Sequence, residues 1–353
     1  FPYTTLFRSV TVMGAEPTVL PSAQADLAAF KVGDKVTLLL TTTGQVAGAV
    51  SPDVAKSNAV GVATVDGTKA TIELLDGILT LEGQTTYSGA AAAKLNGCLV
   101  TVSSYKRDYL TLSKVNGKGA STALNLTTNR MGTKELSAGA RFFEQVGNGR
   151  LVEIDRNDIT ITSIPANKIT YVGYDWAGRV DKLVLNDVTG DRYDYGIIRY
   201  QPAGYQETSG NPDGNGEYKN GEISVTNGSG KHTYVVGSVD GAKTNRMGGV
   251  AGSLDKLGDD HRMAAFMPLN EAKGIRRAQF DTDAMLLTTN SMVIPISDKV
   301  ECYNKTTGDW FKPGEDGDHK AALNLALAFS DDITVYYDRS PEEGGKVRIV
   351  VVE

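Results

Sequence analysis

Short runs in which apolar and polar residues alternate recur along most of the chain, and turn-forming residues separate them. Near residue 335 the apolar side chains occupy every second position, and the same spacing returns near residue 349. The six apolar positions are Ile333, Val335, Tyr337, Val347, Ile349 and Val351. Alternation of this kind places one face of a strand in a core, so it predicts β-strands joined by turns.

Three segments share one hairpin pattern, namely residues 33–50, 166–185 and 330–352. Each carries Asp or Asn, then a charged residue, a β-branched apolar residue and Thr. After a β-rich run and a turn, each continues with Gly-x-Val, at residues 44–46, 178–180 and 345–347. Glycine supplies the positive φ that such a turn needs, so the pattern predicts three copies of one β-hairpin.

A second repeat suggests that part of the chain is duplicated. The string LTTNRM at residues 126–131 returns as LTTNSM at residues 287–292, at a similar distance before a hairpin. Residues 140–149 and 299–308 then occupy matching places. We therefore expect two duplicated modules.

The remaining pattern is also one of strands and turns, as at residues 60–83 and 98–115. Only three short helices are predicted, at residues 22–30, 88–95 and 319–329. We predict an all-β fold of several small β-sandwich or barrel-like modules with short helical insertions. The predicted modules span residues 10–118, 119–200 and 201–353, the last two partly duplicated.

Composition excludes several classes of protein. The net charge of −6 argues against nucleic-acid binding, which needs an excess of clustered basic residues. No apolar run reaches the roughly 18 residues that cross a bilayer, so no membrane span is predicted. Cys98 and Cys302 lie in different predicted modules and form no CxxC motif, and the sequence leaves open whether they are free.

The first nine residues, FPYTTLFRS, are what a common sequencing-adapter oligonucleotide encodes when it is read as coding sequence. We therefore expect residues 1–9 to be an assembly artefact and the natural chain to continue upstream of Val10. An ordinary N-terminal strand is the alternative.

Residues 211–222 have the spacing of a twelve-residue calcium loop. Asn211, Asp213 and Asn215 occupy positions 1, 3 and 5, Glu217 offers a carbonyl at position 7, and Glu222 stands at position 12. Calcium prefers six to eight oxygen ligands, which this spacing can supply. Asn at position 1, Lys at position 9 and non-helical flanks predict weak affinity, and a solvated turn is the alternative. Residues 187–194 are a poorer calcium candidate.

The sequence contains no recognisable catalytic motif. His232, His261 and His319 are far apart, and no HExxH, GxSxG, Walker or GxGxxG motif is present. Residues 228–231 (GSGK) are interpreted as a hairpin turn. Carboxylates from distant positions leave a glycosidase pair open, but nothing selects one, so the chain is predicted to be non-enzymatic, with no certain cofactor.

Aromatic residues cluster at the second and third hairpins. The members are Tyr171, Tyr174, Trp176, Tyr303, Trp310, Tyr336 and Tyr337. If they were exposed and coplanar, they could stack on sugar rings. The other interpretation, which we favour, is that they fill cross-strand pairs on half-buried sheets.

Residues 32–50, 172–191 and 330–353 resemble the C-terminal regions of S-layer homology domain-containing surface proteins of gut Clostridia, and the likeness covers about two thirds of residues 10–353. It implies a secreted protein that separate helical repeats attach to cell-wall polymers. Those repeats carry an FxDV…W…A pattern that is absent here, so the anchor would lie upstream of Val10.

From these observations we expect a non-enzymatic structural module of an extracellular, cell-wall-associated protein. Its partners would be neighbouring modules, or cell-wall polymer through the upstream anchor. The alternatives are a glycan- or ligand-binding module with a calcium-stiffened loop, and an accessory region of a secreted enzyme.

Overall fold

The structure is a computed structural model. The described residues are 16–28, 36–50, 59–75, 80–85, 95–106, 109–115, 120–147, 149–175, 177–201, 206–207, 217–218, 221–236, 242, 244–253 and 262–353. They belong to two compact units, which divide between Val115 and Asn116. Strands dominate both units and the helices are short, so the predicted all-β class is confirmed. None of the helices formed by these residues is long and apolar enough to span a membrane.

The first unit contains a two-stranded hairpin and a closed five-stranded barrel. Its elements are α1 (Gln24–Leu27), β1 (Thr37–Leu40), β2 (Val46–Val50), β3 (Ala59–Asp66), β4 (Lys69–Leu74), β5 (Thr80–Thr85), β6 (Leu99–Lys106) and β7 (Tyr109–Lys114). The barrel closes in the order β3-β4-β5-β7-β6 around a core that includes Ile72, Val100 and Leu112. Gly67, with φ of 60°, makes the tight turn from β3 to β4. The helix predicted at residues 22–30 is shorter, and residues 88–94 lie outside the described residues.

The second unit begins with a seven-stranded sheet, which we call the first copy. Its strands are β8 (Leu124–Asn125), β9 (Arg130–Met131), β10 (Lys134–Gln145), β11 (Val152–Ile154), β12 (Ser163–Ile164), β13 (Ile169–Tyr174) and β14 (Val180–Asn186). The order is β12-β8-β9-β10-β14-β13, and β11 also pairs with β10. The long strand β10 is antiparallel to β9 and β11 but parallel to β14.

An antiparallel sheet follows, which we call the middle sheet. This region contains β15 (Asp194–Gln201), β16 (Gln206–Glu207), β17 (Glu217–Tyr218), β18 (Gly221–Asn227), β19 (Gly230–Val236), β20 (Arg246–Gly252) and β21 (Met263–Pro268). The order of the sheet is β19-β18-β15-β20-β21, and β16 pairs separately with β17. The predicted boundary between residues 200 and 201 falls inside β15, whose partners β18 and β20 follow it in the chain.

The last part of the chain forms another seven-stranded sheet, which we call the second copy. Its elements are β22 (Asn270–Ile275), β23 (Phe280–Asp281), β24 (Leu286–Thr288), β25 (Val293–Asn304), β26 (Asp309–Phe311), α2 (His319–Phe329), β27 (Ile333–Tyr337) and β28 (Val347–Val352). The predicted helix 319–329 is confirmed as α2. The Asp318 carboxylate caps its N-terminus by accepting hydrogen bonds from two backbone N–H groups. Leu323 and Leu327 bury its apolar face in the core of the copy.

The two seven-stranded sheets share a topology and an irregular register. The long strands β10 and β25 each have 12 residues and run parallel to β14 and β28. In the first copy the register with the parallel strand breaks between Leu136 and Arg141, and in the second between Ile296 and Glu301. A shared break of this kind indicates that both sheets are versions of one fold.

The repeated string LTTN does not mark equivalent positions in the two copies. Residues 126–129 form the turn between β8 and β9, whereas residues 289–292 form the turn between β24 and β25. The backbone shows the true equivalence. Asn129 and Met285 both have positive φ, and their carbonyls accept hydrogen bonds of 2.8 Å from the N–H groups of Leu136 and Ile296 respectively. The alignment based on LTTN is therefore wrong, because it pairs successive turns.

The three predicted hairpins are confirmed as β1–β2, β13–β14 and β27–β28. Gly44 and Gly178 have φ of 79° and 75°, as the turn requires. In the third hairpin the positive φ lies one residue earlier, at Gly344. Gly345 is needed for space, since a Cβ there would lie 1.8 Å from the carbonyl oxygen of Arg339.

Candidate functional site

The predicted calcium loop is only partly within the described residues. Asn211, Asp213 and Asn215 lie outside them. Glu217 belongs to β17 and Glu222 to β18, where the exposed Glu222 pairs in the ladder with β15 and β19. No cluster of three or more His, Cys, Asp or Glu side chains placed to hold a metal occurs in the part of the chain that the structure describes. Calcium binding at residues 211–222 therefore stays a prediction.

The poorer calcium candidate, residues 187–194, does not provide free carboxylates at its first two aspartates. Asp187 forms an ion pair with Arg339, and Asp191 pairs with both Lys346 and Arg348. These oxygens already have cationic partners, which does not favour calcium there, and the interpretation of this stretch as a calcium site stays a prediction. Residues 187–191, which we call the DVTGD loop, connect β14 of the first copy to β15 of the middle sheet.

Arg348 is the centre of a buried ion network. It belongs to β28, and only 1% of its surface is exposed. The Nε donates to Asp338 Oδ2 at 2.9 Å, and one terminal nitrogen lies 2.8 Å from the same oxygen. The other donors reach Asp191 Oδ1, the hydroxyl of Ser297 and the backbone carbonyl of Thr189. The guanidinium therefore donates four hydrogen bonds, and each of its three nitrogens has an acceptor, as burial of this group demands.

The carboxylate of Asp338 is also fully satisfied. Its Oδ1 accepts hydrogen bonds of 2.8 Å from the backbone N–H groups of Arg339 and Lys346, while Oδ2 faces Arg348. Asp338 follows β27, so the third hairpin positions both the cation and its main counter-ion. The sharp turn that Gly345 permits brings the N–H of Lys346 back to this carboxylate.

The electrostatics of the network favour the charged form of Asp191 and the neutral form of Tyr195. Burial opposes the ionisation of Asp191, but Arg348 and Lys346 outweigh it and hold the pKa of that carboxyl below its usual range. Burial raises the pKa of Tyr195 well above its usual value, and the charge of Asp338 adds to the effect. The Tyr195 ring lies 5.0 Å from the Cζ of Arg348, a cation–π distance.

The first copy also binds the DVTGD loop. Glu144, on β10, is fully buried, and its Oε1 accepts hydrogen bonds from the backbone N–H groups of Val188 and Thr189. Its Oε2 accepts a hydrogen bond from the hydroxyl of Thr189. Arg339 of the second copy donates to the carbonyl of Val188 at 2.9 Å. Side chains of both copies therefore hold one five-residue loop.

Two of the three histidines line one cleft of about 140 Å³, although they are far apart in the sequence. His232 Nδ1 lies 3.1 Å from Asp194 Oδ2, which also accepts the hydroxyl of Tyr234. His319 Nδ1 lies 3.9 Å from Glu301 Oε1. His261 is outside the described residues.

Glu301 links the second copy to the middle sheet. Its Oε2 accepts a hydrogen bond of 2.9 Å from the backbone N–H of Gly228, in the turn between β18 and β19. Burial raises the pKa of this carboxyl, although the hydrogen bond and the nearby His319 oppose the effect. Because Glu301 and Asp194 are each engaged by protein partners, the arrangement is best suited to joining elements.

The aromatic residues of the third hairpin region form cross-strand contacts. Tyr303 and Trp310 lie opposite each other on β25 and β26, with ring centroids 4.9 Å apart and planes tilted by 48°. Tyr336 donates its hydroxyl to Glu271 Oε1 at 2.6 Å. Tyr174 is half exposed and Trp176 lies outside the described residues. Tyr303 and Trp310 therefore do not present one coplanar platform.

Sequence reasoning missed Arg348, Asp338 and Glu144. One signal was available, since Arg348 interrupts the apolar run VRIVVV at residues 347–352, and a charge inside such a strand needs a buried partner. The partners could not be named, because they lie up to 159 positions away. Comparison with protein families, curated proteins and solved structures found no match to this chain.

Proposed function

We propose that this chain is a non-enzymatic structural module of a secreted, cell-wall-associated surface protein. Its role would be to transmit mechanical load between neighbouring modules. The observation that carries the proposal is the Arg348 network, which ties the loop leaving the first copy to the last strand of the second.

The Arg348 network supports a mechanical role because the two copies cannot separate without breaking its contacts. Separating the two copies would break the ion pair of Arg348 with Asp191 and its hydrogen bond to the carbonyl of Thr189. Arg339 and Lys346 add two further ion pairs to the same loop. The copies are therefore expected to resist separation as one body.

The position of β28 supports the same role. This strand lies in the interior of its sheet, antiparallel to β27 on one side and parallel to β25 on the other. A force applied parallel to β28 would load its ladder hydrogen bonds together, in shear. Rupture would require many bonds to break at once, which is the property that a load-bearing module needs.

Single-molecule pulling of the full chain tests the proposal. We expect the unit 116–353 to unfold in one step that releases roughly 800 Å of chain, at about 3.4 Å per residue. Arg348→Met should split this step into smaller ones, whereas Arg130→Met, which removes an exposed ion pair with Glu135, should not. Separate low-force steps in the unmodified chain would contradict a load-bearing role. Surface labelling of intact cells with an antibody against the chain tests the location.

A ligand-binding module is the second candidate, and a cleft of about 470 Å³ favours it. Tyr303 and Tyr336 line this cleft together with Arg246 and Lys273. A volume in this range suits a small polar ligand or a sugar. Screening of the chain on a glycan array, with Tyr336→Ala as the control for the cleft, would distinguish it from a purely structural module.

A further inference from the structure

A second cleft, also of about 470 Å³, opens beside β19 at the edge of the middle sheet. Arg150, Arg192 and Lys231 line it, together with His232 and the hydroxyl-bearing Thr233. No Asp or Glu is present among the described residues that line this cleft. We call it the basic cleft.

The three permanent cations of the basic cleft are accessible to solvent, since Arg150 and Lys231 are exposed and Arg192 is half-buried. The buried Arg348 is bound by two carboxylates. In contrast, no carboxylate of the described residues lies within 4 Å of Arg150, Arg192 or Lys231. The chain as a whole is acidic, with a net charge of −6. Three such cations around one concave surface nevertheless create a positive electrostatic potential there.

Close backbone packing positions Arg150. A Cβ on Gly149 would lie 2.8 Å from the carbonyl oxygen of Gly252, so only glycine lets the chain approach the end of β20 so closely. The amide of Gln145 donates a hydrogen bond of 2.7 Å to the carbonyl of Gly149. The backbone before Arg150 is therefore fixed from two sides.

Arg192 and Lys231 also start from rigid backbone. Arg192 directly follows Asp191, whose carboxylate is bound by Arg348 and Lys346. Lys231 is the second residue of β19 and pairs in the ladder with Thr226 of β18. The backbone that carries the three cations is therefore fixed, and three cations around one concave surface are suited to binding an anion.

We propose that the basic cleft binds the phosphate groups of a polyol-phosphate or sugar-phosphate chain. Guanidinium groups match the oxygens of a phosphate in paired hydrogen bonds, and Lys231 and the Thr233 hydroxyl supply further donors. A nucleic acid fits less well, because the overall charge is negative and the Tyr234 ring is too buried to stack on a base. The choice of polymer rests on the proposed function, since a wall-associated module would meet such chains.

Calorimetric titration of the full chain tests the proposal with three probes: inorganic phosphate, glycerol 3-phosphate and synthetic poly(glycerol phosphate). We expect the polymer to bind at least about tenfold more tightly than glycerol 3-phosphate, because neighbouring phosphates rebind at high effective concentration. Added salt should weaken the binding. Arg150→Gln and Arg192→Gln should each weaken it about fivefold or more, since a charged hydrogen bond is lost. Arg199→Gln is the matched control, because Arg199 is an exposed arginine of β15 that does not line the cleft.

Three results would overturn the proposal: no binding of the polymer, equal binding by the Arg150→Gln/Arg192→Gln double variant, or tighter binding of a DNA oligonucleotide of equal charge. If the double variant does not keep the thermal midpoint of the unmodified chain, Lys231→Gln takes its place. Pulling experiments contain no phosphate, so a failure of phosphate binding leaves the one-step unfolding of the second unit intact and is distinguishable from a failure of the structural role.

Discussion

The guanidinium group of Arg348 donates a hydrogen bond to the carboxylate of Asp191, which lies 157 positions earlier in the chain. Asp191 stands at the end of the DVTGD loop, and Arg348 lies on β28. Because Glu144 binds the same loop from the first copy, the loop is held between the two duplicated sheets. These contacts require both copies to be folded, so they make the stability of each copy depend on the other.

Replacement of Arg348 by Met should destabilise the second unit by about 3–5 kcal/mol, because Asp338 loses its buried counter-ion and Asp191 keeps only Lys346. Arg130→Met is the control, since Arg130 forms an exposed pair that contributes less than about 1 kcal/mol. Denaturant unfolding followed by circular dichroism gives both values. Equal losses in the two variants would show that the network does not stabilise the unit.

Replacement of Glu301 by Gln should stabilise the chain at neutral pH. Burial raises the pKa of Glu301 in the folded state, so folding favours the protonated form, and the wild type loses stability as the pH rises above the ordinary value of 4.5. Gln keeps an oxygen that can accept the N–H of Gly228 but carries no charge. The difference in unfolding free energy between variant and wild type should therefore grow from pH 4 to pH 8.

The same pH series with Glu222→Gln is the control for Glu301, because Glu222 is exposed on β18. We expect this variant to follow the wild type at each pH. A Glu301→Gln variant that is equally destabilised at every pH would contradict the prediction and would indicate that the charge itself is required.

Replacement of Gly345 by Ala should cost at least about 3 kcal/mol, because the new Cβ would overlap the carbonyl oxygen of Arg339 and displace the third hairpin. Gly139→Ala is the control, since no atom lies within 4 Å of its Cβ position. Thermal unfolding of the two variants measures the difference. Similar midpoints would show that the hairpin relaxes without loss of the contacts of Asp338.

Calcium binding at residues 211–222 can be measured by thermal unfolding with excess calcium and with a chelator. If the loop binds calcium, the midpoint should rise with calcium by mass action, and Asp213→Ala with Glu222→Ala should abolish the rise. Asp309→Ala, in the exposed part of β26, is the control. The absence of a shift at millimolar calcium would leave these residues as an ordinary turn.

Local features were predictable from the sequence. Residues 169–185 and 333–352 alternate in the way a strand requires. Residues 319–329 have a helical spacing of apolar residues and follow Asp318, which caps the helix. These signals depend on neighbours within a few positions, so they survive in a single sequence.

Equivalence between the copies was harder to predict, because turn residues recur for reasons of local geometry. Arg130 and its partner Glu135 are five positions apart, whereas the equivalent Leu286 and Pro295 are nine apart. The second copy therefore has four more residues here, and the second LTTN falls in this longer turn. A short string cannot reveal such an insertion.

The candidate sites were not predictable for a different reason. His232 and His319 meet at one cleft only because β19 and α2 come together in the folded chain. The same holds for Arg150, Arg192 and Lys231, which three separate segments contribute to the basic cleft. Spacing along the chain carries no information about such encounters.

The register break of the long strands limits how the two copies can diverge. Leu136 and Arg141 are five positions apart on β10, while their partners on β14, Val180 and Lys182, are two apart. The two spacings differ by three, which is an odd number. Because side chains alternate between the two faces of a sheet, the side chains of β10 beyond the break change faces relative to those of β14. A single residue inserted there would move the buried side chains of the rest of the strand to the exposed face and the exposed side chains to the core. Over evolutionary time, turns such as β24–β25 are free to lengthen, whereas the length of this bend must stay constant.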